Sequence, residues 1–178
     1  MRRAFYRLGQ FRAHLWPRPP GPADLAEIHR LLPLPLTALF RKQTLGEQAH
    51  ALRVMRRVAA AGGEDAGQLE LLQAALLHDV GKTAAPLSLL GRAAVVLVGW
   101  VSPRLRARLG RGRPRGMLRP FVTASRHAEW GAQLCAQAGA PPLTIELIRR
   151  HGQARPRPAP ATPEDRMLAV LQDADDDS

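Results

Sequence analysis

The sequence predicts an all-α fold. Apolar residues recur at helical spacing in one segment after another, capping and breaking residues mark where the segments start and stop, and no stretch alternates apolar with polar residues as a half-buried strand does. The chain has 178 residues, of which 46% are hydrophobic, enough for one domain with a proper core. A single cysteine, Cys135, excludes an internal disulfide framework and a cysteine-based zinc site. Lys and Arg total 26 against 15 Asp and Glu, for a net charge of +11. All the cations but Lys42 and Lys82 are arginine. Such a bias follows genome base composition as readily as function, so the charge alone names no partner. Aromatic residues make up 4%, too few for the stacking platforms that read single-stranded nucleic acid, and nucleic acid is not expected as a partner.

Residues 1–21 are basic and close on Pro17, Pro19, Pro20 and Gly21, a breaker run. They contain no uninterrupted apolar core, so no secretory signal is expected and the chain reads as cytoplasmic. A short helix follows over Ala23–Leu32, and Pro33 and Pro35 are expected to interrupt what comes next. Thr44 and Glu47 fit a capping box that opens a helix ending at Gly62-Gly63. A second helix is expected from Asp65 to Val80, with Leu69, Leu72, Leu76 and Leu77 at helical spacing and Gly81 as its stop. The most apolar stretch, Pro86–Val101, contains Arg92 and two glycines and is short of the roughly 20 residues a spanning helix needs. It is expected to be buried or self-associating, which would make it a homodimer face; an interfacial helix is the other reading.

Ser102 and Pro103 then cap a short basic helix, and a Gly/Arg/Pro loop runs over residues 110–116. Further helices are expected over Thr123–Ala138 and Thr144–His151, followed by a Pro-rich loop over residues 153–161. Thr162, Pro163, Glu164 and Asp165 restart a last helix with Met167, Val170, Leu171 and Ala174 on one face. The organisation read from this is a basic N-terminal extension with a short helix (1–40), then a helical domain (41–178) that carries an apolar and basic insertion (84–122).

Chemistry concentrates in the histidines. His78 and Asp79 end an apolar helix in Leu76-Leu-His-Asp-Val-Gly-Lys82. On a regular helix neighbours point about 100° apart, but at a fraying end closed by Gly81 both can turn toward one ion. Imidazole nitrogen and carboxylate oxygen suit Mn²⁺, Fe²⁺, Mg²⁺ or Zn²⁺. His50 lies on the preceding helix, His127 and His151 on later ones, and an Asp cluster follows on the last. Asp173 and Asp175 flank the apolar face of that helix almost symmetrically, so periodicity does not choose between them. Glu47, one turn before His50, is explained by its capping role.

This order of motifs resembles the HD-domain metal-dependent phosphohydrolases. The resemblance covers about residues 41–178 and lies in His50-Ala-Leu-Arg-Val, the HDVGK string, His127-Ala-Glu-Trp-Gly131, Ile148-Arg-Arg-His151 and Ala174-Asp175. It implies a compact helical bundle of about six to eight helices with a metal site between them. The implied metal ligands are His50, His78, Asp79 and Asp175, with a divalent ion as cofactor and its identity and count left open. His127 and His151 match the extra histidines of members that bind a second metal or contact a phosphate. The chain has His151-Gly152 where some two-metal members carry a double His, and it lacks the Gly-Tyr-Pro motif of the cyclic-di-GMP-specific branch.

The activity implied is hydrolysis of a nucleotide or another phosphorylated small molecule. Asp79, Lys82, His127 and His151 are the expected catalytic groups, and Lys82, Arg126, His127 and His151 the expected substrate contacts. The rival readings are a regulatory, non-catalytic metal- or nucleotide-binding domain of the same fold and a basic binder of nucleic acid or of an anionic membrane surface. Between Asp79 and Glu129 there is no acid but there are ten cations, Lys82, Arg92 and eight further arginines from Arg104 to Arg126. Together with the apolar stretch, this leaves open a peripheral contact with an anionic membrane through residues 87–119.

Overall fold

Proline opens most of the helices. It stands in the first turn of α1 (Pro22–Leu31), α2 (Leu34–Lys42), α6 (Pro103–Leu109), α7 (Arg119–Gln137), α8 (Pro142–Arg150) and α9 (Pro163–Asp176), where its missing N–H has no intrahelical bond to lose. The remaining helices are α3 (Leu45–Ala61), α4 (Gln68–Leu77) and α5 (Leu89–Val101). Short 3₁₀ turns cover Val80–Ala84 and Gly116–Leu118. These elements come from a computed structural model that describes residues 18–61, 67–154 and 162–178, and among the described residues there is no strand. The expected stop at Gly62-Gly63, the expected start at Asp65 and most of the Pro-rich loop lie outside the described residues.

Side-chain caps fix several starts. Ser88, Ser102 and Thr162 accept from the backbone N–H three residues on, in α5, α6 and α9 respectively. Thr44 and Glu47 form the expected reciprocal box, with the Thr44 N–H donating to Glu47 Oε2 at 3.0 Å and the Glu47 N–H donating to Thr44 Oγ1 at 3.3 Å. Helix α2 was not expected. Pro33 serves as its N-cap and Pro35 falls in its first turn, so residues that read as interruptions start the helix. Helix α4 ends at Leu77 rather than Val80, and α7 and α8 begin at Arg119 and Pro142, ahead of the expected Thr123 and Thr144.

One core joins α1 to α4 with α7, α8 and α9. Ile28, Leu31, Leu36, Phe40, Met55, Leu76, Leu77, Leu147, Ile148 and Leu171 are all fully buried in it. Each such side chain contributes about 1.5–3 kcal/mol. Residues 22–40 therefore belong to the same core as the rest, and the boundary expected at residue 40 is not a packing boundary. Residues 1–17 of that segment lie outside the described residues.

The insertion packs differently. Helix α5 rests on α7 through Val95 and through Gly91, whose missing Cβ would lie 2.9 Å from the Pro120 ring. Its outer face is bare: Leu90 is 82% exposed, Leu97 61% and Trp100 84%. Among the described residues the apolar stretch is not buried as expected, because one face of a helix that is apolar apart from Arg92 meets the bundle and the other is left exposed. No helix among the described residues is long and apolar enough to cross a membrane.

Candidate metal centre

The centre is built from helix ends. Helix α4 stops at Leu77, His78 keeps helical backbone angles, and Asp79 sits at φ −96° and ψ 0° as the chain turns into the 3₁₀ segment Val80–Ala84. This bend brings two adjacent side chains to one pocket, which a continuing helix would have pointed apart. Gly81 makes it possible. A Cβ there would lie 1.9 Å from the His127 carbonyl oxygen and 2.5 Å from the Gly131 nitrogen. The turn therefore lies directly on the backbone of α7, and His127 faces Asp79.

Three of the histidines are held by the same device. The Nδ1–H of His78 donates to the Ala75 carbonyl at 2.9 Å, that of His151 to the Ile148 carbonyl at 2.7 Å, and that of His127 to the Ala124 and Thr123 carbonyls at 3.1 and 3.2 Å. Each bond uses a carbonyl three or four residues back and turns the Nε2 edge into the pocket, the tautomer a metal-binding imidazole needs. Asp175 arrives in the last turn of α9, its Oδ1 2.9 Å from His50 Nε2 and 3.5 Å from His78 Nε2. Asp173 lies exposed, so it is Asp175 that reaches the pocket.

The spacing fits a cation. His78 Nε2 is completely buried and has no hydrogen-bond partner. Its nearest carboxylate oxygens, Asp175 Oδ1 and Asp79 Oδ2, lie at 3.5 and 3.6 Å, beyond hydrogen-bond reach. Ligand atoms sharing an ion at about 2.1 Å lie roughly 3.0–3.4 Å from one another, so a divalent ion would satisfy this buried nitrogen where no described protein donor or acceptor does. A second trio is formed by Asp79, His127 and His151. Asp79 Oδ1 is 3.5 Å from His127 Nε2, and the Nε2 atoms of His127 and His151 face each other at 3.2 Å. With both Nδ1 atoms donating elsewhere, these two lone pairs point at one another and need a positive charge between them.

Protonation follows from the same geometry. Burial opposes a charge on His78, but Asp79 and Asp175 outweigh it and hold its pKa at about 9. Burial drives His151 down to about 4 and also lowers His127, with the neighbouring histidines adding repulsion. Asp79 and Asp175 stay ionised despite burial, the first through Lys82 and the surrounding histidines, the second through His50 and His78. His78, protonated more readily in the fold than in the unfolded chain, adds stability that is complete below about pH 6.5 and lost as pH rises toward 9. His151, protonated less readily in the fold, costs stability as pH falls from about 6.5 toward 4. The melting temperature of chelator-treated protein is therefore expected to peak near about pH 6.5; a flat profile across that range would contradict this charge assignment.

The pocket encloses about 590 Å³ and opens between the His/Asp cluster and the insertion. His50, Asp79, Lys82, His127, His151 and Asp175 all line it, and the Lys82 ammonium is in contact with Asp79 Oδ2. Arg126 does not line it; its guanidinium donates to the Arg111 carbonyl at 3.4 Å. Arg92 and Arg106, from α5 and α6, take the cationic positions on the wall instead. Arg92 donates to Glu47 Oε1 at 2.5 Å, so Glu47 serves the helix cap with one oxygen and holds the insertion against the site with the other. Gln172 was also missed from the sequence. Its amide NH₂ donates to the His151 and Gln153 carbonyls at 3.0 and 2.9 Å, and its Oε1 is buried without a partner at the pocket.

No curated protein and no solved structure matches the chain at a significant level. The model of the HD domain matches residues 48–177. That span runs from the helix carrying His50 to the last turn carrying Asp175, and among the described residues it contains helices and no strand. The chain belongs to the HD-domain family, a family of metal-dependent phosphohydrolases.

Proposed function

We propose that the protein hydrolyses a phosphate ester of a nucleotide or a similar phosphorylated small molecule, using two divalent ions that share Asp79. The observation that carries the two-ion reading is the division of this carboxylate: Oδ2 faces His78 at 3.6 Å while Oδ1 faces His127 at 3.5 Å. His50, His78 and Asp175 complete the first position, and His127 and His151 the second. Ions held there supply Lewis-acid activation of water and of a phosphoryl oxygen.

The chain's own groups do the rest. Lys82, Arg92 and Arg106 bind and orient the phosphate oxygens and offset charge as water adds to phosphorus and the ester P–O bond breaks. The Nε2 edges of His127 and His151 carry no proton and act as ligands rather than as acids toward the leaving oxygen. A pocket of about 590 Å³ is large enough for a nucleotide-sized ligand. Arg106 is exposed, has no ion-pair partner among the described residues, and is braced with its Cδ where a Cβ on Gly99 would come within 2.9 Å. Arg106→Gln is expected to raise KM by about tenfold or more with kcat little changed, because a charge-assisted bond to phosphate is worth about 1.5–3 kcal/mol.

The deciding experiment is metal analysis of the purified protein followed by a phosphate-release screen over di- and triphosphates, cyclic dinucleotides and monoesters. Turnover that disappears with chelator and returns with Mn²⁺, Fe²⁺, Mg²⁺ or Zn²⁺ is the expected result. Bound metal with no turnover on any class would make this a regulatory domain of the same fold.

A further inference from the structure

We infer that helix α5 and the arginine-rich segment beside it form a docking surface for an anionic phospholipid bilayer. The outward face of α5 consists of Leu90, Ala93, Val96, Leu97, Trp100 and Val101, all exposed, with no charged side chain among them. Met117, 91% exposed, lies on the 3₁₀ turn of the same insertion. Exposed apolar faces of this kind mark interaction sites. A tryptophan near the end of such a helix suits the boundary between hydrocarbon and headgroup, where an indole buries its ring and keeps its N–H wet.

Charge identifies the occupant. Arg104, Arg108, Arg111, Arg113, Arg115 and Arg119 are all exposed on the segment that follows this helix, and none has an ion-pair partner among the described residues. No acid occurs between Asp79 and Glu129 to balance them. A symmetric contact with a second copy would bring this acid-free rim close to its own image, where like charges repel. An anionic lipid surface reverses the sign of that term, since each Arg near it adds attraction while the apolar face inserts. The helix has thirteen residues, about 20 Å long at 1.5 Å per residue, so it lies in the plane of the interface rather than across it. The inner side of the same insertion sends Arg92 and Arg106 to the metal pocket, so docking holds the pocket beside the bilayer.

The test is co-sedimentation of the full chain with vesicles of equal parts phosphatidylglycerol and phosphatidylcholine, against vesicles of phosphatidylcholine alone. Partition onto the anionic vesicles that weakens with salt is expected. Leu97→Ser with Trp100→Ser should reduce it by about tenfold or more, and Arg111, Arg113 and Arg115 replaced together by Gln should reduce it on the order of a hundredfold. Helical circular dichroism and bound metal should stay unchanged in both variants, because none of these residues lines the pocket or the core. Equal binding to the two kinds of vesicle, or no binding to either, overturns the inference. So does sedimentation equilibrium showing a dimer that Leu97→Ser with Trp100→Ser dissolves, which would put a second copy on this face. Binding is read without turnover, so failure here leaves the metal chemistry of the pocket unaffected.

Discussion

Asp79→Asn is expected to empty both metal positions at once, whereas His151→Ala should empty one. Asp79 is the only side chain common to the two ligand trios, and an amide of the same shape offers one neutral oxygen in place of two charged ones. Changing groups that merely orient a ligand already costs about 10–100-fold in metal affinity, so loss of the shared ligand should lower affinity and phosphate release by more than about a hundredfold. Elemental analysis of the two variants separates the shared-ligand arrangement from a single site. Retention of one tightly bound ion by Asp79→Asn would show that Asp79 is not shared. The fold should survive, because His78 can shed the proton that Asp79 helps to hold at a pKa of about 9. Thermal unfolding in chelator checks this separately from metal content.

Gly81→Ala should be the most destabilising single-methyl change in the described structure. The added Cβ would lie 1.9 Å from the His127 carbonyl oxygen and 2.5 Å from the Gly131 nitrogen. Both are backbone atoms of α7, so no rotamer change relieves the contact and the turn must lift off the helix. A cost of about 3–5 kcal/mol is expected, which lowers the melting temperature by about 10 °C in a chain of this size. Because the lifted turn carries Asp79 away from His127, the second ion should be lost even where the variant stays folded. Gly152→Ala is the control. It lines the same pocket, but nothing lies within 4 Å of its missing Cβ, and its melting temperature should be unchanged. Equal melting temperatures for the two variants would refute the close approach of turn and helix.

Much of the His/Asp cluster was legible in the sequence because its residues sit at places that local chemistry marks. His78 and Asp79 precede a glycine that stops a helix, His151 follows the last turn of another, and the capping box of Thr44 and Glu47 fixes the phase of the helix carrying His50. The choice between Asp173 and Asp175 was not legible. Both flank the apolar face, and only the approach of α9 to His50 and His78 decides it. Helix α2 was missed for a local reason: proline was read as a breaker where it stands at a helix start, which the chain does repeatedly. The wall of the pocket was missed for a non-local one. Nothing in the spacing of Arg92 and Arg106 tells that the insertion folds back over the metal centre, or that Glu47, some forty residues earlier, meets Arg92 there. The apolar run of α5 gave its composition away but not its outcome, since a helix that is apolar apart from one arginine can still leave one side exposed.

His50 and Asp175 are 125 residues apart, so the site joins the start of the matched span to its end. Domains generally fold as units, and the contact between these two side chains forms only once α9 has docked through Leu168 and Leu171. A chain cut short before α9 would keep His50, His78 and Asp79 but lose the carboxylate that lies against both imidazoles. An ion held there would favour the complete bundle over such a fragment and would stabilise the fold by mass action.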